Sequence, residues 1–233
     1  MKTLLFKTLA LLAAVSIGCK PNPTDPQLLL TAAEAGDVAL LKKYISSGGD
    51  VNIKFGGNRQ ESGRTALHVA AEEKHVAALR VLLDAGADQD AQDDRGATPL
   101  VRAVKAGSSA GVDLLLARGA DPNKADKAGW GPVMWAAVAV QKDILVLLLD
   151  KGAQYAVQDQ AGNTPLHNLL DKSVKLGNDK EPWVDLAHEL LERGADPTVP
   201  NKAGIRFSEM PQVKASARLQ DALAKRSRSE SGK

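Results

Sequence analysis

Serine, histidine and carboxylate side chains are the groups in these 233 residues that could do chemistry. Gly107-Ser108-Ser109-Ala110-Gly111 has the Gly-x-Ser-x-Gly spacing. On a sharp strand-to-helix turn that spacing exposes a serine oxygen for nucleophilic attack, so Ser109 is the candidate nucleophile of a hydrolase. The requirement is geometric: a strand must precede the turn and a helix must follow it. Of the histidines His68, His75, His167 and His188, no two have metal-ligand spacing. Cys19 is the single cysteine, so no disulfide can close within the chain and no cysteine-based metal site can form. No phosphate-binding Gly-x-x-x-x-Gly-Lys-[Ser/Thr] run is present. Glu72-Glu73 and Asp93-Asp94 are acidic pairs without a base or nucleophile beside them, and solvation on the surface is their expected role. The inventory predicts no catalytic residue, no metal and no cofactor. A serine hydrolase using Ser109 is kept as the enzymatic alternative.

The elements that position these residues are set by a repeat. Thr65-Ala66-Leu67-His68 returns as Thr98-Pro99-Leu100-Val101, as Gly131-Pro132-Val133-Met134 and as Thr164-Pro165-Leu166-His167, a period of 33 residues. Gly86-Ala87-Asp88, Gly119-Ala120-Asp121 and Gly152-Ala153-Gln154 keep the same beat. Each motif residue has a mechanical reason. Thr caps a helix and Pro fits the first helical position, where no hydrogen bond is lost. Ala70-Ala71 and Ala136-Ala137 let helices approach closely. Stretches such as Ala78 to Leu83, Val112 to Leu116 and Ile144 to Leu149 place apolar residues at i, i+3 and i+4, which predicts a second, apolar helix in each unit. Gly86, Gly119, Gly152 and Gly194 suit the left-handed position after those helices. Asp93-Asp94-Arg95-Gly96 reads as a hairpin turn.

A 33-residue period with Thr-Pro-Leu-His and Gly-Ala-Asp resembles the ankyrin repeat. The resemblance implies an all-α solenoid of helix-turn-helix units with short β-hairpin fingers. About five repeats, beginning near Gln27, Thr65, Thr98, Gly131 and Thr164, and a degenerate C-terminal cap near Arg206 would fill residues 27–226. Asp25-Pro26 would start the first helix, 215–226 would close the array, and 227–233 would form a disordered tail. About five residues are inserted in the finger around Phe55-Gly56-Gly57-Asn58-Arg59, and about nine near Asp171 to Pro182. In such arrays His68 and His167 make structural hydrogen bonds, and His75 starts a second helix. The segment before Gly107 becomes a first helix, which argues against Ser109 as a nucleophile.

The N-terminus reads as an export signal. Lys2 and Lys7 precede an apolar run, Leu9 to Ile17, that is too short to span a bilayer. Val15-Ser16-Ile17-Gly18-Cys19 resembles a bacterial lipobox, in which the cysteine receives lipid and becomes the mature N-terminus. Residues 1–18 are then the signal peptide, Cys19 the lipidation site, and 19–26 a proline-rich tether. Lys20 after the cysteine implies, in enteric-type bacteria, sorting to the outer membrane with the array facing the periplasm.

The formal net charge is +2, and Lys2 and Lys7 account for it. A nucleic-acid partner is not expected, because the basic footprint is missing. Ankyrin arrays are usually binding scaffolds, so the resemblance implies an unidentified protein partner and a monomeric array. The partner surface would be the finger tips and the exposed sides of the first helices. That gives Glu61, Ser62, Arg64, Glu72, Glu73, Asp94, Arg95, Lys105, Lys127, Trp130, Trp135, Val138, Gln160, Asn163, Asp171 and Lys172. The slot holding Arg64, Ala97, Trp130 and Asn163 accepts Arg and Asn, so it is expected to face solvent, with Trp130 exposed and Trp135 partly packed. Trp is frequent among binding hot spots. The expected function is an envelope-anchored scaffold that inhibits or escorts an envelope enzyme. An immunity protein against a periplasm-delivered toxin is a more specific version.

Overall fold

The computed structural model describes residues 22–56, 62–170 and 182–231. The residues read as signal peptide and lipobox, Cys19 included, lie outside the described residues, as do Glu61, Asp171 and Lys172.

Helix pairs follow one another along the chain. They are α1 (Pro26–Ala35) with α2 (Val38–Ser46), α3 (Ala66–Glu72) with α4 (Val76–Asp84), and α5 (Pro99–Ala106) with α6 (Ser109–Ala117). Next come α7 (Pro132–Val138) with α8 (Lys142–Asp150), and α9 (Pro165–Asn168) with α10 (Pro182–Glu192). A 3-10 turn (Phe207–Glu209), α11 (Pro211–Ala215) and α12 (Ala217–Ser231) close the array. First helices pack on first helices and second on second, so the fold is an all-α ankyrin solenoid. No β-ladder forms among the described residues; the fingers are tight turns with isolated bridges at Phe55–Arg64 and Pro200–Arg206. The expected hairpins are therefore too short to count as strands. The closing helix α12 runs to Ser231. It is tied back where the Arg226 guanidinium donates to the carbonyls of Ala195 and Gly194.

Repeating positions build the core. Leu67, Leu100, Val133 and Leu166 are buried on the first helices. Leu82, Leu115, Leu148 and Leu190 are fully buried on the second. One repeat cannot cover its own apolar face, so each depends on its neighbours. The first finger pairs Phe55 with Arg64, whereas later fingers close over four residues, as in Asp93 to Ala97. The early insertion therefore lies inside that finger. The later one falls between Asn168 and Pro182, mostly outside the described residues.

His68 and His167 do the same work in repeats two and five. The Nδ1 of His68 accepts from the Thr65 backbone N–H at 3.1 Å, which leaves the proton on Nε2 to donate to the Ala97 carbonyl of the next finger at 3.0 Å. His167 does so with Thr164 and Ile205. Val101 and Met134 hold the slot in the intervening repeats, so this tie is absent there. The turn between paired helices takes the left-handed conformation at Gly36 (φ 67°), Lys74 (φ 62°), Gly107 (φ 72°) and Val140 (φ 53°). That conformation suits glycine and strains a β-branched residue.

Burial first, then the nearby Arg102 and Arg64 charges, lower the His68 pKa to about 4 from the ordinary 6.5. Its neutral form is the folded one, so the unfolded chain takes up the proton first as pH falls. Stability is full above about pH 6.5 and declines towards pH 4, by on the order of 3 kcal/mol. His68→Gln should be less stable at pH 7 and show a flatter loss over that window; equal slopes in thermal melts would refute the assignment. Val140→Gly should raise stability by about 1 kcal/mol by releasing the strain. An unchanged or lower melting temperature would show that the turn is not strained.

Candidate protein-interaction site

An acceptor at the base of each finger after the first fixes its shape. Asp93 Oδ1 accepts from the N–H groups of Arg95 and Ala97, both at 2.9 Å. Asp126 does so for Ala128 and Trp130, Asp159 for Ala161 and Asn163, and Asn201 for Ala203 and Ile205. Adjacent fingers then join through backbone bonds, Asp94 N–H to Ser62 and Lys127 N–H to Arg95. The expectation that Asp93 is a solvated surface carboxylate is therefore wrong. It is buried, and its Oδ2 pairs with the Arg102 guanidinium at 2.5 Å. Burial works to raise the Asp93 pKa, but Arg102 and the two backbone donors outweigh it and hold the group below the ordinary carboxylate range.

The same geometry corrects the slot at the finger's end. Once the turn is closed, this residue lies alongside the following first helix rather than in solvent. Ala97 is buried, and Arg64, Trp130 and Asn163 are half-buried. The Arg64 side chain is only 12 % exposed and pairs with Glu72 at 2.5 Å; Glu72 also meets Arg102 at 3.5 Å. Arg64 and Glu72 therefore belong to a packed charge network that joins repeats two and three, and Glu72 is not an unpartnered surface acid. Arg102 went unnoticed in the sequence because arginine on a first helix reads as surface. Its signal would have been the run of small and apolar neighbours on both sides.

Trp130 and Trp135 are brought together, with ring centroids 4.8 Å apart and planes tilted by 54°. Trp130 is thus half-covered by Trp135 and not freely exposed as expected. Trp135 is half-buried, its Nε1–H pointing to Asp126 Oδ2 at 3.4 Å. The Lys105 ammonium lies 4.1 Å from the centre of the Trp135 ring, a cation–π contact between repeats three and four. Partial desolvation, then the Arg102 charge, hold Lys105 below the ordinary lysine range. Asp94, Arg95, Lys127 and Gln160 are exposed along the fingers, Glu73 is exposed at the end of α3, and Ser62 and Val138 are half-buried.

Ser109 lies on none of this surface. It is the first residue of α6, and the residues before Gly107 form α5 where an elbow needs a strand. The cleft beside it, about 280 Å³, is lined by Gly107, Val140, Gln141, Lys142, Asp143 and Ile144. Among the described residues no group of three His, Cys, Asp or Glu side chains is placed to hold a metal ion. No described helix is long and apolar enough to cross a membrane.

Comparison with known proteins agrees with the fold. Residues 29–126 match the family model for ankyrin repeats, in three copies. The chain is 42% identical to Potassium channel AKT3 of Oryza sativa subsp. japonica over 76 residues, which is 33% of this chain and 8% of that protein. It is 40% identical to L-asparaginase of Dirofilaria immitis over 80 residues, 34% of this chain and 13% of the other. It is 36% identical to SH3 and multiple ankyrin repeat domains protein 2 of Homo sapiens over 94 residues, 39% of this chain and 5% of that one. The match spans about a tenth of these relatives, whose names denote unrelated activities, so what they share with the chain is the repeat.

Removing Arg102 would leave Asp93 buried without its cation, whereas Arg95 is exposed and unpaired among the described residues. Arg102→Ala should cost about 3 kcal/mol in urea denaturation and Arg95→Ala close to nothing. Similar midpoints for the two variants would show that the network is not structural.

Proposed function

We propose that this chain is a protein-binding scaffold whose partner docks on the fingers and first helices of repeats three and four. The observation behind this reading is the Trp130–Trp135 pair, which leaves part of two large rings uncovered beside Lys105. Large rings half in water are costly unless a partner covers them, and such rings dominate interface energies. The repeat architecture supports the reading, because the surrounding helices hold these side chains rigidly.

The scaffold acts, in this proposal, at a bacterial cell envelope. Cys19 is lipidated and holds the array at the membrane, facing the periplasm, where it inhibits or escorts an envelope enzyme. The support is the sequence around Cys19 alone. Two or more acyl chains on one cysteine would give stable anchoring, where one chain gives only marginal binding.

Tagged full-length protein, expressed in a Gram-negative host and recovered from detergent-solubilised envelopes, should co-purify with a discrete partner. Trp130→Ala should weaken that capture by about 2 kcal/mol, some thirtyfold. Because the rings stack, Trp135→Ala should also weaken capture while costing more fold stability. Cys19→Ala should move the protein from the membrane to the soluble fraction and leave capture in solution intact. Undiminished capture by both tryptophan variants would defeat the binding face, and wild type that washes off membranes with salt would defeat the anchor.

A further inference from the structure

The carboxylates and the cations around the tryptophan pair are not equally committed. Asp93 is occupied by Arg102 and two backbone donors, Asp126 by Ala128, Trp130 and the Trp135 ring nitrogen, and Glu72 by Arg64 and Arg102. Asp94 is exposed but leans away, its Oδ1 filling the space that a side chain at position 63 in the preceding finger would take. On the other side, Arg95, Lys105 and Lys127 are exposed, and none makes an ion pair among the described residues. Arg95 and Lys127 are joined at adjacent finger tips, where the Lys127 N–H donates to the Arg95 carbonyl at 2.9 Å. Lys105 rests on Trp135; the charges that act on it are Arg102, then Glu72 and Asp126, which are already engaged elsewhere, then Arg95.

Resting on the reading of this face as a binding surface, we propose that it receives an acidic segment of the partner protein. An Asp or Glu carboxylate of that segment lies among Lys105, Arg95 and Lys127, and a neighbouring apolar side chain covers Trp130. Charge complementarity selects this occupant: the internal acids are consumed by the fold, so the uncompensated charge beside the aromatic pair is positive. A carboxylate arriving there meets cations that pair with no described carboxylate, so no existing ion pair is displaced. Opposed potentials of this kind raise association rates and suppress wrongly charged partners. A basic segment would meet like charge at all three positions, and a neutral apolar one would leave Lys105 partly desolvated and unpaired.

Random twelve-residue peptides displayed on phage and selected on the immobilised full-length chain provide the probe. Enriched peptides are expected to set Asp or Glu within a few residues of Leu, Ile, Phe or Trp. A synthetic copy of the enriched peptide, titrated against the soluble Cys19→Ala protein, should bind more weakly as salt rises. Lys105→Glu should weaken it about tenfold or more. Lys105→Met, which keeps the stem over Trp135, should cost less than the charge reversal. Trp130→Ala should reduce binding as well. Enrichment of basic or uncharged peptides, or indifference to Lys105→Glu, overturns the acidic assignment; if Trp130→Ala still weakens binding, the face itself survives. Failure to enrich any peptide sensitive to Trp130→Ala overturns both. Concentration-dependent dimerisation lost in Trp130→Ala would assign the face to a second copy of the chain and also overturn the proposal.

Discussion

One side-chain oxygen at the base of each finger after the first determines where the rest of the surface goes. Asp93, Asp126, Asp159 and Asn201 each accept the N–H groups two and four residues on. Those donors would otherwise be left unpaired within a tight turn, at a cost that buried backbone groups rarely bear. The closed turn aims residue i+4 along the next first helix, and it presents the carbonyl that His68 or His167 grips from the preceding repeat. Finger, helix and neighbouring repeat are thereby locked in one register. The packed network of Arg64, Glu72, Arg102 and Asp93 and the stacking of Trp130 on Trp135 both follow from that register.

Function and stability share this framework without competing. The buried members of the charge cluster hold repeats two and three together, and removal of either partner strands a charge. Arg95 and Lys127 contribute little to the fold because exposed charges are well solvated, and Lys105 adds a partly desolvated contact with Trp135. They are free to define what the surface attracts. The tryptophan pair stands between these roles: each ring is half-packed, so its loss affects the fold and the face together. Val140 shows that the fourth repeat also carries a backbone cost, a β-branched residue held at φ 53° where repeats one and three use glycine.

Periodicity made most of the fold legible. A recurrence of Thr-Pro-Leu-His and of Gly-Ala-Asp at one spacing fixed the helix pairs, because capping, left-handed turns and i, i+3, i+4 burial are local rules that a single strand of text displays. It placed the starts of the helices and the helix before Ser109, while the structural roles of His68 and His167 were implied by the resemblance to ankyrin repeats. The candidate surface was only partly legible. Lys105, Trp130 and Trp135 stand in the right region, yet the ring pair and the Lys105 contact from the preceding repeat are matters of side-chain geometry, which a period does not encode.

The sequence alone therefore determined the repeat, its turns and its apolar positions, since each depends on neighbours within a few residues. Tertiary structure decided which charges are spent. Asp93 and Asp94 are adjacent and alike in sequence, but one is buried against Arg102 and the other is in solvent. Arg64 and Arg95 look equally exposed in the text, but only Arg64 is folded into a network with Glu72. The difference arises because a finger turn points successive side chains in different directions, and only some of them meet the first helix that the turn brings back alongside, as Arg64 meets Glu72 and Asp93 meets Arg102.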